Sequence, residues 1–273
     1  MTKRLPCLAA VLGVYALASC AAASVHPTTF DELAGALAGN QDIVLTQNID
    51  AYGSTWAGTT DYSAHFNGGG FIISNYSGSQ LISRLNGEGV FEYVGFTNLN
   101  AYYGVIRDMG ERLGPHTARV RKVFAVGQMA GSGSQNRAGI VGLIRAGYID
   151  DCWADYPKTG DWCGGVVGYA QSGYITHCYS ISSDVVGYVE AMGGPLISAS
   201  YYNSDLTDSR GGTPKTTAEM MAQATYAGWD FTNVWQIDEG RNYPQLRNFV
   251  PEPATLALVA LGGVSVLLRR RRK

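Results

Sequence analysis

Two stretches decide the fold: GIVGLIRAGYIDDCW, residues 139–153, and GVVGYAQSGYITHCY, residues 165–179. They align without gaps at an offset of 26, and seven of their 15 positions are identical. Gly139, Val141, Gly142, Gly147, Tyr148, Ile149 and Cys152 recur as Gly165, Val167, Gly168, Gly173, Tyr174, Ile175 and Cys178. Trp153 is answered by Tyr179, also aromatic. Self-similarity at a fixed short period is the signature of a repeat architecture.

The core of the unit is an apolar residue, two further residues, then a small or apolar residue beside an aromatic. Weaker copies flank it, and they place first anchors at Ile73, Phe96, Val120, Ile149, Ile175 and Ile197, with steps of 23, 24, 29, 26 and 22 residues. A period of this size, with short strands and glycine-rich breaks, fits one coil of a β-solenoid. Each coil is too small to bury a core alone, whereas stacking at ~4.8 Å aligns the anchors in a continuous column. Propeller blades need about 40 residues and helical repeats need a 3.6-residue stripe; neither pattern is present. The expectation is an all-β chain, a parallel β-helix of about six coils with short helical caps.

The two clear copies also resemble the GLUG repeat of bacterial surface proteins, in which Gly-x-Val-Gly precedes Gly-x-Ile-x-Asn-Cys-Tyr. Asp151 and His177 stand where that family usually has Asn. The resemblance, extended from about residue 66 to 246, implies a right-handed solenoid on an exported adhesin-like or matrix protein, and no particular reaction.

Open solenoid ends expose strand edges and need covers. Thr29-Phe30-Asp31-Glu32 reads as a capping box opening a helix to about Ala38, followed by a strand over Asp42–Ile49. Thr216-Thr217-Ala218-Glu219 opens a second helix through about Ala224. Beyond it, Trp229, Phe231, Trp235 and Tyr243 are expected to close the last coil.

Both chain ends carry addresses. MTKRLPCLAAVLGVYALASCAAAS has a basic start, an apolar run and small residues at its close, the pattern of a secretory signal peptide over 1–23. Ala21-Ala22-Ala23 suits ordinary cleavage; Leu17-Ala18-Ser19-Cys20 resembles a lipobox, which would make Cys20 a lipidation site. The last residues read VPEPATLALVALGGVSVLLRRRRK. The run from Ala254 to Leu268 is 15 residues, about 22 Å as a helix and short of a bilayer core of roughly 30 Å. This tail resembles the PEP-CTERM sorting signal through Pro251, Glu252 and Pro253, the apolar run, and Arg269, Arg270, Arg271 and Arg272 with Lys273. The resemblance implies a Gram-negative source, an exosortase-type enzyme as partner, transient residence in the inner membrane and delivery to the cell surface or extracellular matrix. A plain anchor helix is the alternative. The resulting division is 1–23 signal, 24–65 N-terminal cap, 66–205 solenoid, 206–249 C-terminal cap and 250–273 tail.

Residues 24–250 hold 13 Lys and Arg against 21 Asp and Glu, a net charge near −8. Such a body repels phosphate, and nucleic acid is not an expected partner. Charged residues are only 15 % of the chain and glycines number 35, a composition for turns and short strands. Cys152 and Cys178 occupy equivalent places in adjacent coils, within reach of a disulfide, or buried with Cys163 as free thiols. Asp151 and His177 stack likewise and could hold a metal or share a proton, or simply form a corner ladder. Asp150, Asp155 and Asp161 form an acidic cluster without calcium-loop spacing. No catalytic motif emerges, and no cofactor or metal is expected; were the chain a polysaccharide lyase or glycosidase, Asp150, Asp151 and Asp155 would be its acids. Ice binding would require a flat threonine array, which the repeat positions lack. Tyr102, Tyr103, Tyr148, Tyr169, Tyr174, Tyr188 and Tyr202 offer rings for sugar stacking. The expected function is therefore a non-catalytic adhesion module associated with extracellular polysaccharide or another cell surface.

Overall fold

The computed structural model describes residues 23–249, apart from 55, 60, 112–116, 132–135, 159, 161, 191–193 and 208–210. The proposed signal peptide up to residue 22, Cys20 included, and the tail from residue 250 lie outside the described residues.

The fold is built from one local event repeated. Strand Tyr148–Asp150 ends at Asp151, whose φ is +52°, and the chain resumes as strand Trp153–Asp155. One turn later Tyr174–Thr176, His177 at +49° and Tyr179–Ser180 repeat the course. A single left-handed residue swings the chain round a corner, so Ile149 and Cys152 both point inward and are buried. The two copies pair in parallel, Tyr148 on Tyr174, Ile149 on Ile175, Asp150 on Thr176 and Trp153 on Tyr179.

Stacked corners define the sides of a parallel β-solenoid. On the first side one inward column runs Ile43, Phe66, Phe91, Val120, Ile149, Ile175, Ile197. These anchors start six full coils and part of a seventh. On the second side the inward column runs Ile49, Ile73, Phe96, Ala125, Ala154, Ser180, Tyr202. Strands Ser77–Leu85, Val141–Ile144, Val167–Ala170 and Val186–Val189, with the later part of Val90–Met109, make the third. The buried Phe, Ile and Val anchors each contribute about 1.5–3 kcal/mol of burial.

This register corrects the sequence reading at two anchors. Ile73 and Phe96 belong to the second side, while the residues above Val120 on the first side are Phe91 and Phe66. The cause is that the next corner has the same shape. Ile73-Ser74-Asn75 and Phe96-Thr97-Asn98 also end in a left-handed residue, with φ of +60° and +49°, so both corners write the same apolar-spaced signature.

Glycine sets the coil spacing at the Gly-x-Val-Gly motif. A Cβ on Gly168 would lie 2.5 Å from the Arg137 nitrogen and 2.7 Å from the Gly142 oxygen. Gly147 and Gly173, at φ of +114° and +98°, turn the chain into Tyr148 and Tyr174.

Helix α1, Phe30–Ala38, sets Phe30, Leu33 and Leu37 into the main core. Thr29 caps it by accepting from the Glu32 nitrogen, but the Glu32 carboxylate turns to Thr28 rather than completing the box. The expected strand over 42–49 is two short ones, Ile43–Val44 and Ile49–Asp50, because the corner between the first two sides interrupts it.

The C-terminal segment departs from expectation in direction. Helix α2, Thr217–Met220, has a complete capping box between Thr216 and Glu219, then breaks at Met221 before a short turn at Gln223–Thr225. From there the chain does not plug the last coil. It lies lengthwise on the outside of the second side, against Ile72, Phe124, Trp153, Tyr179 and Tyr201. Those side chains point outward because alternate residues of a strand face opposite ways, and without the strap they would form an exposed aromatic stripe. Phe124 stacks on Trp153 at 5.0 Å and Trp153 on Tyr179 at 5.6 Å, with interplanar angles of 13° and 2°. Trp229, Trp235 and Phe249 then bind successively earlier coils: Trp229 donates to the Ala199 carbonyl at 3.0 Å, Trp235 to Asp151 at 2.9 Å, and Phe249 packs on Tyr93 at 5.1 Å.

Candidate functional site

Stacking brings together three of the titratable groups singled out in the sequence. Asp150, the corner residue Asp151 and His177 of the following coil hold one ligand atom each, all within 4.8 Å of one another. The His177 Nδ1–H donates to Asp150 at 2.9 Å, and the Thr176 hydroxyl donates to the same oxygen at 2.6 Å. Burial works against the charged Asp150, yet these bonds together hold its carboxyl below the ordinary carboxylate range. Asp151 is shifted the other way, by burial first and then by the charge of Asp150, although Trp235 donates to it. The Asp150 bond raises His177 above the usual imidazole value, more than burial lowers it. Asp155 stands apart, accepting from Ser182 at 2.5 Å, and Asp161 lies outside the described residues. The cluster has the oxygen and nitrogen donors a divalent cation uses, and in the structure those donors also hold one another and the strap.

Cys152, Cys163 and Cys178 are buried, and no disulfide joins Cys152 to Cys178. Their Sγ atoms lie 3.2 Å from the Asp150 carbonyl and 3.1 Å from the Thr176 carbonyl. Burial, with the neighbouring Cys152, pushes the Cys178 thiol well above its ordinary value.

The aromatic residues sort into three arrangements. Tyr148 and Tyr174 stack on the first side, 4.9 Å apart and 8° from coplanar, with the Arg119 guanidinium 4.9 Å from the Tyr148 centroid. Tyr102 meets Tyr103 edge-on, and the buried Arg137 covers its face at 4.3 Å. Tyr202 is buried and offers no ring to a ligand. The third arrangement is new. Tyr169 and Tyr188, paired across adjacent coils, meet Trp162, with ring centroids 5.6 Å and 4.7 Å from the indole. Trp162 is 38 % exposed and Tyr188 39 %.

Sequence reasoning missed Trp162, though a signal was available. At the 26-residue offset Trp162 stands opposite Asn136, and both have a left-handed backbone, φ +57° and +51°. Asn suits that conformation; a tryptophan there is an outlier.

Residues 249–272 match the PEP-CTERM protein-sorting motif. The chain ends in a sorting signal. That motif marks the protein for export, with the tail as its membrane anchor before processing and an exosortase-type enzyme as its reader. The match begins at Phe249, the last of the described residues. Among the described residues no helix is long and apolar enough to cross a membrane, and the run Ala254–Leu268 is not among them. No curated protein matches the chain. A solved structure from Bacteroides ovatus, described as a "putative immunoglobulin A1 protease", is similar in fold, with a TM-score of 0.56, 16 % identity, and coverage of 83 % of this chain and 86 % of that one. At that identity the likeness is one of architecture.

Proposed function

We propose that the exported solenoid is a non-catalytic module of the cell surface or extracellular matrix, associated with polysaccharide and of the GLUG-repeat type. The observation that carries this reading is the joining of a sorting motif to a rigid rod whose sides present aromatic rings at coil spacing. Rings of this kind stack on the apolar faces of sugars, and a repeated rod meets a repeated polymer in register. The body's net charge near −8 favours uncharged polymers over acidic ones. The test is retention of the full chain, purified in detergent, on the extracellular polymer of the producing bacterium. Retention at moderate salt supports the reading; elution in the void volume overturns it.

A second reading is hydrolysis, favoured by one observation: Asp150 and Asp151, neighbours in one corner, are pushed in opposite directions, as in acid and base pairs. Release of reducing ends from the same polymer, lost in Asp150→Asn and Asp151→Asn, would establish it; no release from wild type removes it.

A further inference from the structure

Resting on the polysaccharide reading, we infer that Trp162, Tyr169 and Tyr188 form a binding subsite for a neutral pyranose chain. The other aromatic arrays have most of their faces engaged, Tyr174 at 39 % exposure being the exception. Tyr148 is covered by Arg119 on one side and Tyr174 on the other, and the stripe from Phe124 to Tyr201 lies under the strap. The Trp162 group differs in geometry. Its indole is tilted 38° from Tyr169 and 37° from Tyr188, and the two phenols meet at 70°, so the rings form an open angle rather than a closed stack. An apolar sugar face seats against such an angle.

The backbone adds a separate observation. Trp162 is held at φ +57°, a conformation that costs a bulky residue of order 1 kcal/mol at a corner where the preceding coil has Asn136. That conformation places a large apolar ring at the surface, 38 % exposed, beside Tyr169 and Tyr188.

Polar groups at the rim fix the ligand class. The Tyr169 hydroxyl donates to the Glu190 carboxylate at 3.1 Å. A carboxylate accepts several hydrogen bonds, so it suits the hydroxyl groups of a neutral hexose, and the body's net charge near −8 disfavours a uronic acid. Tyr169 and Tyr188 belong to successive coils, so the subsite spans about 5 Å along the rod, the length of one sugar residue.

The experiment compares wild type, Trp162→Ala and Tyr188→Ala as full chains by titration with two probes, cellohexaose and an oligomannuronate of equal length. Each chain is also run on the producer's own polymer, and thermal melting confirms that each is folded. Binding of cellohexaose that weakens roughly tenfold or more in both variants, with no binding of the acidic oligomer, is the expected result. Equal affinity in wild type and both variants overturns the subsite, and continued retention of all three on the producer's polymer would leave the polysaccharide reading standing. Preference for the acidic oligomer overturns the ligand class. Failure of wild type to be retained on the producer's polymer overturns the broader reading itself.

Discussion

The indole nitrogen of Trp235 donates to a carboxylate oxygen of Asp151, 2.9 Å away in space and 84 residues away in sequence. Trp235 is fully buried, and Asp151 is the residue whose left-handed backbone turns the fifth coil. The strap is thus fastened to the repeat at the corner that makes it a repeat. Trp235→Phe keeps the ring packing and removes the donor, leaving a half-buried carboxylate unsatisfied. The expected loss is about 1.5–3 kcal/mol in urea unfolding. Combining it with Asp151→Ala, which removes the acceptor, should give less than the sum of the two single losses, because both remove one interaction. Strict additivity would show that the bond contributes nothing.

The His177–Asp150 pair gives stability a pH dependence. The folded-state value of His177 is raised above its ordinary 6.5. A base with a raised folded value stabilises fully below its unfolded value and loses that contribution as pH rises through the folded one. Wild type should therefore lose stability as pH climbs above about 6.5, and His177→Gln should lack that component of the slope. Asp150, lowered in the fold, acts oppositely: its contribution disappears as pH falls through its folded value. Urea midpoints measured from about pH 2 to 9 separate the two, and identical slopes for wild type and His177→Gln above about pH 6.5 would refute the assignment.

Two glycines should respond in opposite directions to alanine. Gly168→Ala places a methyl 2.5 Å and 2.6 Å from Arg137 backbone atoms, where nothing flexible can yield. It should cost 3 kcal/mol or more, on the order of the largest single-residue effects, or prevent soluble expression. Gly35, inside α1, has nothing within 4 Å of such a methyl, and Gly35→Ala should stabilise by about 0.5–1 kcal/mol. Thermal melting of both checks the assigned coil spacing.

The sorting motif predicts where the mature chain ends. Terminal-peptide mass spectrometry on protein recovered separately from envelope and medium should find a C-terminus near residues 250–253. Replacing Arg269, Arg270, Arg271 and Arg272 by Ser should leave the protein unprocessed. An intact Lys273 in wild-type envelope protein would instead mean a permanent anchor.

The coil was legible because residues 139–153 and 165–179 obey the same constraint at every place: a glycine where backbones approach, an inward Ile, a left-handed corner, an inward Cys. The earlier coils were harder to register because Asn75 and Asn98 turn one corner while Tyr93 and Lys122 turn another. Local sequence records the shape of a corner and not which corner it is. The strap's course was hidden for a different reason. Trp229 and Trp235 look the same whether they plug an end or cover a side, and only the partners Ala199 and Asp151 decide it. Trp162 escaped notice because a repeat search rewards matching residues, and this one is informative through its mismatch with Asn136.

The strap's direction has a mechanical meaning. Having run back along the rod, the chain leaves the described body beside Tyr93 and Phe124, in the third and fourth coils, while Trp162 and Tyr188 sit in the fifth and sixth. A pull between the sorting tail and a polymer held at Trp162, as proposed above, would therefore drag the strap along the coils it covers. Its hydrogen bonds and ring stacks are loaded together, in shear, instead of opening one after another like a zipper. A rod with its strap fastened this way resists tension with its whole side.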